Sequence, residues 1–335
     1  MKKIGILGAG TWGVTLARLL SNKGENVTVW SAVPSEIREL RETGRHKNLP
    51  QMIIPDEIVF TEYIDEAVVG SDVVVFAVPS VYMRSTSRTA KPYIGREQII
   101  VSVAKGFEAD TLLTMTEIIA SEVGYPERIV ALSGPTHAEE VAIDMPTMIV
   151  SACADSGNAQ YVQELFSTDF LRVYTNSDIN GVELCGALKN VMALAAGISE
   201  GLGYGDNAKA ALITRGIAEM SRLGEAMGCN PRTFAGLAGI GDLVVTATSR
   251  HSRNNQAGIL LGKGYSAEEA VGIVGMVVEG LNALGGALKL AEKYGVDMPI
   301  VHAIDDIVNN GADPRTVVGK LMGREKKDEF IEINK

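Results

Sequence analysis

The sequence predicts an α/β protein in two parts, a doubly wound domain over residues 1–178 and an all-α domain over residues 179–330. Three observations carry this. The first half alternates short β-branched runs with helical patterns, as a parallel sheet wound with helices on both faces does. Gly8-Ala9-Gly10-Thr11-Trp12-Gly13 sits where the first strand gives way to the first helix, which marks the N-terminal part as Rossmann-type. Beyond about residue 178 the β-rich runs almost vanish, and alanine, leucine, glycine and methionine dominate.

The first strand is expected at 3–8 and the second at 26–30, where Asn26-Val27-Thr28-Val29-Trp30 closes the unit. Between them an amphipathic helix carries Val14, Leu16, Ala17, Leu19 and Leu20. Gly8 permits the tight turn, Gly10 lets the backbone approach a pyrophosphate, and Gly13 lets helix pack on strand. The helix N-terminus then offers free N–H groups and a positive dipole end. Further strands are expected at 57–60, 72–78, 98–103, 128–132 and 147–152, with helices at 34–43, 80–90, 111–122 and 155–166. The run Asp72-Val73-Val74-Val75-Phe76-Ala77-Val78 suits a parallel strand buried on both faces.

In the second half, helical patterns fall at 179–200, 207–228, 253–262, 266–273, 279–294, 299–309 and 313–323. Asp178 or Asn180 is placed to cap the first, and Ser266 with Glu269 reads as a capping box. The cleft between two such parts is where a ligand is expected. The charged last dozen residues are expected to fray.

Composition narrows the partners. A net charge of −10 with no Lys/Arg run argues against nucleic-acid binding. An anionic ligand must therefore be drawn in by local positive charge. Cys153, Cys185 and Cys229 are scattered, which fits a reducing cytosol with no disulfide framework or zinc site. Four histidines without ligand spacing suggest no metal. The N-terminal apolar run is short, Gly-rich and followed by Arg18, unlike a signal peptide. No stretch of eighteen apolar residues exists, so no membrane span is expected and the location is expected to be cytoplasmic.

Lys189 lies in Val182-Glu183-Leu184-Cys185-Gly186-Ala187-Leu188-Lys189-Asn190-Val191-Met192, a helix apolar nearly all round and so buried. Desolvation moves such an amine toward general-base use. A stem snorkelling to the surface, or a structural ion pair, fits the helix equally well. Lys105, in Ala104-Lys105-Gly106, follows a strand at its carboxyl end, where open α/β sheets bind ligands; taken alone it reads as a loop lysine. Ser133-Gly134-Pro135-Thr136-His137-Ala138-Glu139 also follows a strand. There Gly134 and Thr136 can present an N–H and a hydroxyl to a ligand, or Thr136 can cap a helix with Glu139 at its third position. Arg253 offers a planar fork for phosphate, with Ser252 and Asn254 adding donors near a helix start. Ser252 also reads as an N-cap. Asp242 can orient a buried lysine or serve as a loop residue. The end of the second strand, Trp30-Ser31-Ala32-Val33, has neither the acid that holds NAD ribose nor the arginine that favours NADP.

Taken in order, these segments resemble the bacterial NAD(P)-dependent sn-glycerol-3-phosphate dehydrogenases. So do Gly201-Leu202-Gly203-Tyr204-Gly205-Asp206-Asn207-Ala208-Lys209, Gly241-Asp242-Leu243, His251-Ser252-Arg253-Asn254 and Met276-Val277-Val278-Glu279-Gly280. The resemblance runs essentially end to end. It implies Lys189 as proton acceptor, and substrate contacts from Lys105, Gly134, Thr136, Lys189, Asp242, Ser252, Arg253 and Asn254. It further implies cofactor contacts from Thr11, Trp12, Lys105, Ala138, Arg253, Val277 and Glu279, beside Gly8, Gly10 and Gly13. Thr246 matches a further polar position near the reacting carbon. The implied cofactor is NAD or NADP (NADH/NADPH), the implied substrate pair is sn-glycerol 3-phosphate and dihydroxyacetone phosphate, and the implied use is phospholipid synthesis.

Two departures stand out. Thr136 replaces a more usual serine and keeps the hydroxyl. Ser31-Ala32-Val33 replaces a stretch where relatives often carry histidine or arginine, which favours NADH. A homodimer is the default expectation. The alternatives are a two-domain 2-hydroxyacid or ketopantoate-type reductase, which does not need Arg253 for a phosphate, and a non-catalytic dinucleotide sensor, which gives no reason for a lysine in an apolar helix.

Overall fold

The computed structural model describes residues 1–326 and 328–329; the tail expected to fray lies mostly outside them. Eight strands form one sheet: β1 (Lys3–Leu7), β2 (Asn26–Trp30), β3 (Val59–Thr61), β4 (Val73–Phe76), β5 (Ile99–Ser102), β6 (Ile129–Ser133), β7 (Thr147–Ala152) and β8 (Leu171–Asn176). Their spatial order is β3-β2-β1-β4-β5-β6-β7-β8. The order reverses between β1 and β4, which opens a crevice at the carboxyl ends of those strands.

Side-chain alternation along the central strands fills two cores. Ile4, Ile6, Val73, Val75, Ile99 and Val101 pack under α1 (Thr11–Asn22) and α2 (Pro34–Thr43). Leu7, Val74, Phe76 and Ile100 pack under α3 (Ile64–Val68), α4 (Met83–Ala90) and α5 (Met115–Val123). Period-two alternation assigns each residue to one face, and each fully buried aliphatic side chain contributes about 1.5–3 kcal/mol. Leu112 has φ +62°, so the helix expected from 111 starts only at Met115, with Thr114 as N-cap and Glu117 completing its capping box.

The sheet departs from the parallel pattern at one edge. β6 and β7 are antiparallel, and β7 and β8 are parallel to each other. The β6–β7 connection holds only one helical turn, α6 (Ala138–Val141), whereas a parallel return needs a full crossover. After β7, α7 (Ser156–Phe166) supplies that crossover and delivers β8. β8 was not expected: Leu171 and Val173 face in while Arg172 and Tyr174 face out, so no continuous apolar run marks it. The helix expected over 80–90 opens instead as a 3-10 turn, Ser80–Tyr82, before α4.

The second lobe is all-helical: α8 (Ile179–Gly201), α9 (Asp206–Ala226), α10 (Pro231–Phe234), a π-helical segment Leu237–Gly241, α11 (Asp242–Thr248), α12 (Arg253–Gly262), α13 (Ala267–Val274), α14 (Glu279–Tyr294), α15 (Pro299–Val308) and α16 (Pro314–Met322). Asp178 caps α8 by accepting from the Gly181 N–H, and Ser266 with Glu269 forms the expected capping box on α13. α8 is long and apolar enough by composition to cross a membrane, yet its apolar stretch is wholly packed inside this lobe. The short elements α10 and α11 were not expected, because glycines at 236, 239 and 241 break any helical pattern there.

α8 and α12 pack backbone to backbone. A Cβ on Gly197 would lie 2.1 Å from the Asn255 carbonyl oxygen, and one on Gly258 would lie 2.3 Å from that of Leu194. Only a missing side chain permits that approach. Gly258→Ala is therefore expected to cost about 1–3 kcal/mol or more by overpacking. Gly272→Ala in α13, with nothing within 4 Å, is expected to gain roughly 0.5–1 kcal/mol. Chemical denaturation of the two variants should show opposite shifts.

Candidate active site

α8 fixes the centre of the site. Its residues Gly181–Ser199 are all buried, so Lys189, 7% exposed as a residue, is held from bulk water by its own helix and its neighbours. Asp242, at the first turn of α11, is fully buried and accepts from Lys189 Nζ at 2.6 Å through Oδ1. Its other oxygen, Oδ2, accepts from Lys105 Nζ at 2.6 Å. Lys105 also donates to the Gly134 carbonyl at 2.9 Å. Thr246 donates its hydroxyl to the Asp242 carbonyl at 2.6 Å and accepts from Lys189 at 2.8 Å. Gly186, one turn before Lys189, leaves room for the Lys105 stem, whose Cγ would be 3.2 Å from a Cβ there.

Two lysines therefore share one carboxylate. Burial pushes Lys189 down from 10.5 to about 7, with Asp242 opposing the shift and Lys105 adding to it. Burial alone would raise the Asp242 carboxyl, but the two ammoniums hold it below its ordinary value. The result is an amine that is half neutral near pH 7, which is what proton transfer at that pH requires.

A second network aligns the start of α12. Asn254 donates to Asn190 Oδ1 at 3.0 Å and accepts from the Gly280 N–H at 2.8 Å. Ser252 caps α12, accepting from the Asn255 N–H at 3.2 Å, and its own hydroxyl proton has no acceptor among the described residues. Most of the Asn254 side chain is thus spent inside the protein, leaving one amide proton and its backbone N–H for a ligand. Arg253 is half-buried and makes no hydrogen bond or ion pair among the described residues. A cation and a helix N-terminus together suit a phosphate.

The dinucleotide end fits the expected cofactor. Gly8 has φ +128° and lies against Ala77, while a Cβ on Gly13 would meet the Gly8 carbonyl oxygen at 2.0 Å. Gly10 has open space around its Cβ position, and α1 starts at Thr11 and Trp12 with no side-chain cap and no acid in its first turn. Among the described residues, the free N–H groups there have no acceptor that a diphosphate would need to displace. Glu279, first residue of α14, accepts from the Ser80 hydroxyl at 2.6 Å and from the Ser80 N–H at 3.2 Å. That contact joins the two lobes beside Gly106, the residue after Lys105. Ala138 opens α6, and Val277 lies just ahead of Glu279.

Thr136 is not the helix cap that its spacing to Glu139 suggested. His137 occupies that position, and the Thr136 hydroxyl donates to the Gly134 carbonyl at 3.2 Å. The left-handed Gly134 (φ +144°) redirects the chain before the helix can start. Sequence reasoning missed the Lys105–Asp242 bond, the roles of Asn190 and Ser80, and the short α11 that carries Asp242. The adjacency of Asn190 to Lys189 was the only available signal. A groove of about 930 Å³, lined by residues including Leu212, Arg215, Ile307 and Leu321, contains none of these groups.

Two family models match, described as the NAD-dependent glycerol-3-phosphate dehydrogenase N-terminus over residues 3–159 and C-terminus over residues 178–319. The chain is 62% identical to a Lactobacillus delbrueckii subsp. bulgaricus protein named glycerol-3-phosphate dehydrogenase [NAD(P)+] 2, over 98% of this chain and 99% of that one. It is 48% identical to the Bacillus subtilis glycerol-3-phosphate dehydrogenase [NAD(P)+], covering 99% and 97% of the two chains. The crystal structure of the Coxiella burnetii glycerol-3-phosphate dehydrogenase superposes with a TM-score of 0.92 at 36% identity, covering 96% of this chain and 99% of that one.

The shared carboxylate makes opposite predictions for its two partners. Asp242→Asn removes the charge that opposes desolvation, so Lys189 should titrate below about 7; Lys105→Ala removes a like charge, so it should titrate above. NMR of ¹³C-labelled lysine Cε reads both shifts directly. Because the folded value lies below 10.5, the unfolded chain binds more protons between about 7 and 10.5, so the contribution of Lys189 to stability grows as pH rises through that window.

Proposed function

The chain belongs to the NAD-dependent glycerol-3-phosphate dehydrogenase family, and from that premise we propose that it interconverts sn-glycerol 3-phosphate and dihydroxyacetone phosphate with NAD or NADP. The observation that carries the chemistry is the buried Lys189 amine, lowered to about 7 and fixed at 2.6 Å from Asp242. The nicotinamide, when bound, exchanges a hydride with C2 of the substrate. Gly8, Gly10, Thr11, Trp12 and Gly13 hold the diphosphate, with Ala138, Val277 and Glu279 lining the remainder of the cofactor site.

In the oxidative direction, neutral Lys189 accepts the proton of the C2 hydroxyl; in reduction its ammonium returns that proton to the carbonyl oxygen. Asp242 aims the amine and holds Lys105 beside it at 2.6 Å, so that Lys105 stabilises the negative charge developing on that oxygen. Gly134 fixes Lys105 from the other side through its carbonyl, and Thr136 supports Gly134 in turn. Arg253, the free Ser252 hydroxyl and the backbone N–H of Asn254 bind the substrate phosphate, holding C2 in register. These local donors draw an anion toward a chain whose net charge is −10.

The same reading places the enzyme in the cytoplasm as a homodimer that supplies glycerol 3-phosphate for phospholipid synthesis. Its support is the family together with three free, buried thiols suited to a reducing compartment.

Lys189→Ala should lower kcat by at least about 10²-fold, the usual weight of a positioned acid–base group, while cofactor affinity is kept. In the wild-type chain, kcat/KM for oxidation should rise with pH through an apparent pKa near 7 and that for reduction should fall. Near-normal turnover of the alanine variant across pH would remove Lys189 from the chemistry. Arg253→Ala should raise KM for dihydroxyacetone phosphate by roughly ten- to a hundredfold, the worth of hydrogen bonds to a charged group. The rate with unphosphorylated dihydroxyacetone should fall far less, and absorbance of the reduced nicotinamide follows both.

A further inference from the structure

In a Rossmann-type sheet the adenosine ribose lies at the carboxyl end of the second strand. Here Ser31-Ala32-Val33 provides neither acid nor base in chain order, yet the fold brings a carboxylate to the spot. Ser31, the first residue after β2, is buried and donates its hydroxyl to Glu36 Oε2 at 2.7 Å. The Val33 N–H donates to the same hydroxyl at 3.1 Å, closing the turn that brings α2 back to the strand end. Glu36 lies in the first turn of α2, half-buried, where the helix dipole favours an anion.

One backbone bond sets the strand end that holds this carboxylate beside the glycine turn. The Gly8 N–H donates to the Trp30 carbonyl at 2.8 Å, so the end of β2 abuts the turn. Two of the basic groups on the same segment are spent or weakened. Burial holds His46 below its ordinary value, and Arg41 is committed to the Phe60 carbonyl at 3.0 Å. At the end of β3, Thr61 carries a further carboxylate, that of Glu66.

We infer that Glu36, positioned by Ser31, selects the cofactor: its carboxylate accepts from the ribose hydroxyls and excludes a 2′-phosphate, so this chain prefers NAD(H) to NADP(H). A 2′-phosphate would set like charges against each other in a partly desolvated turn, a repulsion stronger than in water. The selection rests on the dehydrogenase reading above, whose family names leave the two nucleotides unresolved.

The test titrates NADH and NADPH separately into the chain without substrate, following nicotinamide fluorescence. The wild-type Kd for NADPH should exceed that for NADH by about tenfold or more, as expected of a close like-charge contact. Glu36→Gln should narrow that ratio at least threefold, chiefly by tightening NADPH, with circular dichroism confirming the fold. Ser31→Arg, which unties Glu36 and adds a cation, should narrow or reverse it. Equal or tighter NADPH binding by the wild-type chain overturns the inference, and so does an unchanged ratio in a folded Glu36→Gln protein. Assay of the same wild-type sample with dihydroxyacetone phosphate separates the two readings: no oxidation of either nucleotide, with the binding preference intact, refutes the reaction and leaves the selection standing.

Discussion

One carboxylate organises the centre of this molecule. Asp242 is buried between Lys189 of the long central helix and Lys105 of the loop that leaves β5. A buried ion pair is weak evidence for stability, since desolvation consumes most of the attraction; its attested value is in fixing one arrangement. Here the arrangement spans both lobes. Three elements far apart in the chain are held within hydrogen-bond reach, and the electrostatic conflict among them sets the charge state of Lys189. An amine with one carboxylate to itself would be pinned in its charged form. Burial, with a second ammonium sharing that carboxylate, leaves it close to balance.

The scaffold makes such sharing possible by close approach. Gly197 and Gly258 let α8 and α12 touch along their backbones, which places the Arg253 turn alongside Asn190 and Lys189. The bond from Asn254 to the Gly280 N–H then ties the start of α14 to the same junction, and with it Glu279. Glu183 anchors the other end of α8: although burial pushes its carboxyl up to about 7, it accepts from the Thr114 hydroxyl at 2.7 Å and the Thr116 N–H at 2.9 Å. The loop bearing Lys105 is therefore fastened at both of its ends, to Asp242 of α11 at one and to Glu183 of α8 at the other. Precision at the site derives from helices and their termini rather than from free loops.

The nucleotide end obeys the same logic on a smaller scale. Glycines at 8 and 13 bring strand, turn and helix together, and the uncapped start of α1 leaves N–H groups unspent. A few residues away, a serine hydroxyl fetches a carboxylate from the next helix to the strand end. Short-range hydrogen bonds thus finish what the strand order begins.

What the chain determined by itself was the part written in local pattern. The two-lobe α/β architecture, the glycine turn, the burial of α8 and the caps at Asp178, Ser252 and Ser266 follow from periodicity and residue type within short windows, which act over neighbouring residues. Motif order across the whole length marked the candidate site residues. The tertiary structure alone decided the reversal of β7 and β8, because the length of the α6 turn and an alternating edge strand leave no apolar signature. It alone joined Lys105 to Asp242, 137 residues apart, and set Glu36 on Ser31. Charge coupling depends on distance through space and on the exclusion of water, and neither is a property of any segment read alone.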